Sequence, residues 1–276
     1  MIESIKIMPE IDVCDRKVSY TRQGKGDPLL MLHGWPMTKE MFSLVIPPLA
    51  ENCEVITLDF PGFGKSQELA EKHTYGSLVL TVIRFMDKLE IPQATVSGVS
   101  MGAAVGLVLA SEHPDRVKKL VLNSPPVHHR EELTDFQRKL YEFAKKRPII
   151  IPILYKLMKT APDLFCQLLW GETLDSDNPA KKLMIRHTIN TGMRPAYEML
   201  LEFTETDLRP SLSRVVAPTI VFVGTLDHQF LRPAKIIADG VQNGRIKYVE
   251  GANHWLAVKN PPLFTRQILD ALRLPE

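Results

Sequence analysis

Cysteine is scarce in this sequence of 276 residues, which contains only Cys14, Cys53 and Cys166. An odd number of cysteines, without the short spacings of metal ligands, argues against a disulfide framework and against a zinc site. A chain of this length can bury enough apolar surface to fold without either. We therefore expect reduced, buried thiols in a cytoplasmic protein.

Charge of one sign is also scarce. The 34 basic and 32 acidic side chains leave a net charge of +2, which is too small to indicate a nucleic-acid-binding surface. Basic clusters at 118–119, 145–147 and 181–182 are scattered, so we interpret them as solvent-exposed faces. We expect a small-molecule partner and no nucleic acid, and the sequence leaves monomer and homodimer open.

Long apolar runs are absent as well. A membrane helix needs about 20 apolar residues, and the longest candidate, 148–154, is short and interrupted by Pro152. The first six residues contain no extended apolar stretch, so we expect no signal peptide. Metal and dinucleotide signatures are missing too, and we therefore expect no cofactor.

Strands and helices alternate through the first half of the chain, which indicates βαβ units and a parallel sheet. The apolar patterns predict strands at 3–8, 17–22, 29–32, 53–58, 94–99 and 117–122, and helices at 39–51 (interrupted by Pro47 and Pro48), 75–89 and 103–110. The pattern resumes late in the chain, with strands at 219–223 and 246–249 and helices at 233–241 and 262–272.

Between these two stretches, the sequence predicts only helices, at 131–146, 151–170, 179–191 and 195–206. The fold class is therefore α/β. Residues 1–125 and 211–276 are predicted to form the core, and residues 126–210 a helical insertion.

A possible nucleophile lies where the predicted strand 94–99 meets the next helix. The turn reads Gly-x-Ser-x-Gly, and its glycines, Gly98 and Gly102, allow the sharp bend that would raise Ser100 at the strand's end. Backbone N–H groups of Met101, at the start of the helix, and of Trp35, after strand 29–32, are candidate oxyanion donors.

A base and an acid follow the last two predicted strands. His254 comes after 246–249 and Asp227 after 219–223, at the carboxyl edge where such sheets hold their sites. Asp227 could orient the imidazole and stabilise its charged form. Asp59 is an alternative acid, although its loop has turn chemistry. We expect His33 to be structural, and the adjacent His128 and His129 cannot both face one site.

Several motifs together resemble the α/β-hydrolase fold superfamily: 33–36 (His-Gly-Trp-Pro), 59–66, 98–102, 224–227 and 251–254, with Ser, Asp and His in that family's chain order. The resemblance implies a mostly parallel central sheet flanked by helices, with residues 126–210 as a cap over the site. Serine at the turn argues against epoxide hydrolases and haloalkane dehalogenases, which use aspartate. Serine with His-Gly-Trp-Pro is similar to bacterial esterases and cofactor-free perhydrolases.

These features predict a serine hydrolase of carboxylic esters, lipophilic or aromatic, with a small to medium acyl group, and a triad of Ser100, Asp227 and His254. Perhydrolase or haloperoxidase activity is an alternative. Carbon–carbon bond hydrolysis is another, although such enzymes usually carry more glycine in the 33–36 loop. A ligand-binding regulator on a hydrolase scaffold is the alternative outside enzymes.

Overall fold

A computed structural model describes residues 9–170 and 189–274, with side chains excluded at 168–170. Its described strands form one eight-stranded sheet in the order β1-β2-β4-β3-β5-β6-β7-β8. They are β1 (Glu10–Val13), β2 (Arg16–Gln23), β3 (Pro28–Leu32), β4 (Glu54–Leu58), β5 (Ala94–Val99), β6 (Val117–Asn123), β7 (Thr219–Gly224) and β8 (Gly244–Val249). The pairs β1–β2 and β2–β4 are antiparallel, and every other neighbouring pair is parallel.

Helices follow most of the parallel strands. In chain order they are α1 (Ile46–Ala50), α2 (Tyr75–Lys88), α3 (Met101–Glu112), α4 (His129–Glu132), α5 (Asp135–Lys146), α6 (Ile151–Thr160), α7 (Pro162–Trp170), α8 (Met193–Glu205), α9 (His228–Gly240), α10 (Leu256–Lys259) and α11 (Pro261–Arg273). Short 3₁₀ helices occupy Lys39–Phe42, Pro114–Arg116, Pro148–Ile150 and Arg209–Arg214.

The middle of the sheet is buried on both faces. Every residue of β5 and β7 is buried, as expected for parallel strands covered by helices on both sides. Helix α3 is buried along almost its whole length. Its small residues let it pack closely on the sheet: a Cβ placed on Gly102 would lie 2.2 Å from the carbonyl oxygen of Leu32. This packing fixes the start of α3 at the carboxyl edge.

Most predicted core elements are confirmed within a residue or two. The predicted strand 3–8 lies outside the described residues, and the short edge strand β1 was missed. The predicted helix near 233–241 begins at His228, because Pro233 lies inside α9 and does not open it. The prediction of a helix over 39–51 is wrong: Lys39–Phe42 is a 3₁₀ helix, and α1 covers only Ile46–Ala50. The break falls at residues 43–45 and not at Pro47 and Pro48. They lie in the first turn of α1, where a missing N–H costs nothing.

Of the helices predicted between β6 and β7, 195–206 is confirmed as α8 (Met193–Glu205), whereas 131–146 and 151–170 are each divided into two shorter helices. Thr134 ends the first run and caps α5 through its hydroxyl, and Ala161 separates α6 from α7, which opens at Pro162. The predicted helix 179–191 lies mostly outside the described residues. Its described end is not helical, since Thr191 forms an antiparallel bridge with Phe63. We refer to the described residues 129–170 and 189–205 as the helical segment.

The three cysteines are free. Cys53 and Cys166 are buried as expected, but the prediction of burial is wrong for Cys14, which is exposed at the turn between β1 and β2, where its φ is 51°. Among the described residues, no helix combines the length and the apolar character that crossing a bilayer requires.

Candidate active site

Ser100 stands where the chain turns from β5 into α3. Its φ of 51° and ψ of −115° are rare for a residue with a side chain, and they make the turn sharp. Ser100 occupies the N-cap position of α3, where serine normally bonds the first turn, yet its hydroxyl makes no cap hydrogen bond. The backbone is instead fixed by Ser100 N–H, which donates to the Asn123 carbonyl at 2.9 Å. The hydroxyl is therefore not used to hold the helix.

The loop after β3 packs directly against this turn. A Cβ placed on Gly34 would lie 3.5 Å from Cβ of Ser100 and 3.3 Å from the carbonyl oxygen of Val99. Trp35 follows Gly34 in this loop. The amide of Met101 belongs to the first turn of α3, so it has no acceptor within the helix. The two backbone groups expected to hold an oxyanion thus belong to segments that meet beside Ser100.

Asp227 and His254 are brought together. Nδ1 of His254 lies 3.0 Å from Oδ2 of Asp227, with the carboxylate almost fully buried and the ring 18% exposed. Asp227 is the N-cap residue of α9, but its side chain, like that of Ser100, makes no cap bond. A carboxylate that accepts from Nδ1–H leaves Nε2 as the proton acceptor of the neutral ring.

Backbone contacts between the loops after β7 and β8 set this geometry. Leu226 N–H donates to the Ala252 carbonyl at 2.9 Å, and Gly251 N–H donates to the Thr225 hydroxyl at 3.0 Å. Gly224 permits the approach, since a Cβ there would lie 2.1 Å from the Ala252 carbonyl oxygen. These contacts hold together the two loops that carry Asp227 and His254.

Aromatic rings pack around His254, and the sequence did not predict two of the residues that contribute them, Phe230 and His129. Phe230 from α9 stacks on His254 with ring centres 4.3 Å apart, and His129 from α4 stacks on Phe230 at 5.7 Å. Burial, together with the nearby His254, lowers the pKa of His129 to about 4, although Asp227 opposes the shift. His129 is thus a neutral ring at neutral pH. The sequence carried no signal for it, because only the fold returns α4 to the sheet edge.

Asp59, the alternative acid, holds its own loop together. Its buried carboxylate accepts from the Lys39 ammonium at 2.7 Å and from the backbone N–H groups of Lys39 and Lys65 at 2.8 and 3.1 Å. His33 lies next to this loop, and its Nε2 accepts from Phe60 N–H at 3.0 Å while its Nδ1 is 3.0 Å from the Gly34 carbonyl. Burial lowers the pKa of His33 to about 4. Both residues therefore have structural partners.

A cavity of about 120 Å³ lies between Trp35 and the helical segment. Its walls are almost entirely apolar, and they include Trp35, His129, Leu140, Leu154, Met158, Phe165, Ala196, Leu200 and Phe203. A second cavity, of about 80 Å³, contains Asp227, Phe230 and His254. Among the described residues, no group of three or more His, Cys, Asp or Glu side chains is arranged to hold a metal ion.

Comparison with known proteins identifies the family. A sequence model described as "alpha/beta hydrolase fold" matches residues 27–261. The chain belongs to this family. Its eight-stranded, mostly parallel sheet flanked by helices is the expected α/β-hydrolase fold, and the family assignment makes the protein a hydrolase.

Individual relatives within the family differ in activity. The chain is 24% identical to monoacylglycerol lipase abhd6-A of Xenopus laevis, over 93% of this chain and 79% of that protein. It is 25% identical to 2-hydroxy-6-oxo-6-phenylhexa-2,4-dienoate hydrolase of Comamonas testosteroni, over 96% and 94%. The solved esterase of Exiguobacterium antarcticum covers 97% of this chain and all of its own, with a TM-score of 0.81 and 19% identity.

Several other matches are partial. The chain spans less than half the length of four further curated relatives that it matches, with 33–37% identity over 97–127 residues. These matches support the family and leave the reaction open.

Proposed function

We propose that the protein is a serine hydrolase that cleaves carboxylic esters with a lipophilic or aromatic acyl part. In this proposal Ser100 is the nucleophile, His254 the general base and Asp227 the residue that orients His254. The backbone N–H groups of Trp35 and Met101 hold the oxyanion. No cofactor takes part.

The proposed reaction has two halves. Ser100 Oγ attacks the ester carbonyl carbon while its proton passes to Nε2 of His254, and the carbonyl oxygen becomes the bound oxyanion. The carbon–oxygen bond to the alcohol then breaks as the imidazolium protonates the leaving alcohol. Water attacks the acyl-enzyme with His254 again as the base, which releases the acid and restores Ser100.

The observation that carries the proposal is that the side chains of Ser100 and Asp227 make no capping hydrogen bonds. Both residues occupy helix N-caps, and neither caps its helix. Thr74 and Thr134, in contrast, do cap α2 and α5. Asp227 instead reaches His254. Polar side chains that forgo a cap bond worth about 1 kcal/mol at the carboxyl edge of a sheet are candidates for chemistry.

We further propose that residues 126–210 act as a cap on a core of 1–125 and 211–276. Hydrogen bonds support this division, because the helical segment is tied to the core by Trp35 Nε1–H to the Ala196 carbonyl (2.8 Å), Tyr75 N–H to Glu202 (3.0 Å) and His73 to Glu198 (2.7 Å). The apolar cavity lies beneath these helices, which supports an apolar acyl or aromatic group.

The cavity also bears on the alternatives. The substrate named for the Comamonas relative is a dienoate, which carries a carboxylate. Among the described residues of the cavity wall, the lysine or arginine side chain is that of Lys145, which already pairs with Glu205 at 2.8 Å. This supports a neutral ester over a carboxylate substrate.

The free cysteines support our further proposal of a cytoplasmic location.

A series of p-nitrophenyl esters with acyl chains of increasing length tests the proposal. We expect turnover to rise with chain length until the cavity is filled, and Ser100→Ala to lose several orders of magnitude in kcat. The matched control is Ser111→Ala, since Ser111 belongs to the same helix and its hydroxyl donates to the Val108 carbonyl at 2.9 Å. A fluorophosphonate probe should label the parent and the control, and it should not label Ser100→Ala.

Three outcomes contradict the proposal. An unchanged kcat in Ser100→Ala rejects Ser100 as the nucleophile. Peracid formed from acetate and peroxide well above an esterase control favours perhydrolase activity. No turnover of any ester by a folded parent enzyme, together with tight binding of an apolar ligand, favours a ligand-binding regulator.

A further inference from the structure

Large apolar side chains are exposed on the outside of the helical segment. Phe136 and Phe143 on α5 are 58% and 49% exposed, and Ile149 and Ile153 around the start of α6 are 82% and 68% exposed. Isolated exposed apolar residues are common on protein surfaces. Four of them within 18 residues, across two consecutive helices and the short connection between them, indicate a surface that binds a partner.

Helical geometry places the two phenylalanines on one stripe with two lysines. Phe136, Lys139, Phe143 and Lys146 are spaced three and four residues apart, so they share a face of α5. All four are exposed. Side chains on the other side of α5, such as Tyr141 and Ala144, are buried and line the apolar cavity. The exposed stripe is therefore not the face by which α5 packs on the protein.

Helix α6 repeats this arrangement. Ile153 and Lys156 are exposed, while Leu154, Tyr155 and Met158 line the cavity. The 3₁₀ helix Pro148–Ile150 joins α5 to α6 and carries Ile149 at the corner. We refer to the exposed side chains of 136–156 as the outer face.

The outer face is strongly basic. Residues 136–156 contain six Lys or Arg and one acidic residue, Glu142, whereas the whole chain carries a net charge of only +2. Two of the six are paired, Arg138 with Asp135 at 3.9 Å and Lys145 with Glu205 at 2.8 Å. Glu142 is already paired with Arg130 at 2.5 Å. Among the described residues, Lys139, Lys146 and Lys156 have no carboxylate partner, and the Arg147 guanidinium lies over the Phe143 ring at 5.9 Å. The positive charge therefore faces solvent next to the apolar side chains.

We propose that the outer face docks on a lipid bilayer that carries anionic head groups. Apolar side chains beside lysines and arginines match the two parts of such a surface, the acyl boundary and the acidic head groups. A symmetric second copy fits less well, because it would bring two sets of unpaired cations face to face. The protein would lie on the membrane and not span it. This inference does not depend on the proposed ester chemistry.

Co-sedimentation with vesicles tests the inference. The purified protein is mixed with vesicles of phosphatidylcholine alone and with vesicles in which a third of the lipid is phosphatidylserine. We expect binding to the anionic vesicles, weakened by salt, and little binding to the neutral ones. Lys139→Gln/Lys146→Gln/Lys156→Gln should weaken partitioning about five-fold for each lysine, or about a hundred-fold in all.

Two further variants separate the contributions. Ile149→Ser/Ile153→Ser should weaken binding to anionic vesicles without changing its salt dependence, because the charges remain. The matched control, Lys25→Gln/Lys72→Gln/Lys88→Gln, removes three exposed lysines of the core and should bind as the parent does. Circular dichroism confirms that each variant is folded.

The inference is overturned by any of three results. The first is no sedimentation with either vesicle, and the second is equal loss of binding in the control triple variant. The third is a dimer in analytical ultracentrifugation that Ile149→Ser/Ile153→Ser dissociates, since the outer face would then be covered by a second copy.

Discussion

The indole Nε1–H of Trp35 donates to the carbonyl oxygen of Ala196 at 2.8 Å. This bond joins the loop beside Ser100 to α8, and the Trp35 ring also contacts Phe203 at a centre distance of 5.7 Å. One residue thus offers its backbone to the proposed oxyanion site and its side chain to the helical segment. Movement of those helices would therefore shift the Trp35 loop beside Ser100.

Trp35→Phe keeps an aromatic ring and removes this hydrogen bond. The Ala196 carbonyl keeps its N–H donor within α8 and loses the indole donor, so we expect the free energy of unfolding to fall by about 1 kcal/mol. We also expect kcat for a p-nitrophenyl ester to fall about ten-fold, because the loop holding the oxyanion donor loosens. Thermal denaturation and steady-state kinetics measure the two effects. A variant with a lower melting temperature and an unchanged kcat would show that the two are not linked.

Asp227→Asn replaces the carboxylate that faces His254 with an amide of the same shape. Asn can donate its N–H to Nδ1, which favours the wrong tautomer of the imidazole, so we expect kcat to fall about 10³- to 10⁴-fold. The melting temperature should change little. Steady-state kinetics and thermal denaturation give both numbers, and a loss of less than ten-fold would remove Asp227 from the proposed triad.

The control is Asp59→Asn, the same substitution at the alternative acid. Lys39 and Asp59 form a pair in which both side chains are at most 2% exposed. Removal of the charge from Asp59 leaves the buried Lys39 ammonium with the partly exposed Glu40 carboxylate, 3.5 Å away, as its remaining counter-charge among the described residues, and we expect this to cost about 3 kcal/mol. We expect this variant to lose stability first. Should Asp59→Asn retain its melting temperature and lose kcat instead, the assignment of the two aspartates would be reversed.

Gly102→Ala tests the close contact between α3 and β3. The added Cβ would lie 2.2 Å from the Leu32 carbonyl oxygen and 2.6 Å from that of His33, so backbone must move. We expect a loss of about 2 kcal/mol or more in unfolding free energy. Gly76→Ala, at the start of α2, meets nothing closer than 3.9 Å and should be neutral or slightly stabilising. Urea denaturation of both variants checks this, and equal stability would contradict the packing.

The core could be predicted because its signals are local. The continuous apolar runs of β3, β5 and β7 and the glycines around Ser100 determine those elements within a few residues. The errors have local causes too: Pro233 resembles a helix start, although tertiary packing tolerates it inside α9. Helix breaks at Thr134 and Ala161 were hidden by apolar spacing that continues through them.

His129 and Phe230 could not be predicted as neighbours of His254. His129 belongs to the helical segment and Phe230 to α9, and neither position has a motif. Their stacking depends on how α4 folds back over the sheet edge, which is a property of tertiary packing. The same holds for the exposed stripe of α5, because the sequence gives its amphipathic period but not which face the protein covers.

Because the pKa of buried His129 is lowered, we expect the free energy of unfolding to fall as the pH becomes mildly acidic. Its pKa is about 4 when folded, against an ordinary value near 6.5, mainly because the ring is buried. Between these values the unfolded chain binds the proton and the folded one does not, so stability falls as pH drops from about 6.5 to 4, by about 3 kcal/mol at most. His33 acts in the same direction.

His129→Phe keeps a stacking ring without a titrating group. Urea denaturation across this pH range should show that the unfolding free energy of His129→Phe changes with pH along a slope reduced by about one proton relative to the parent. Parallel slopes in the parent and His129→Phe would mean that His129 does not bear this linkage.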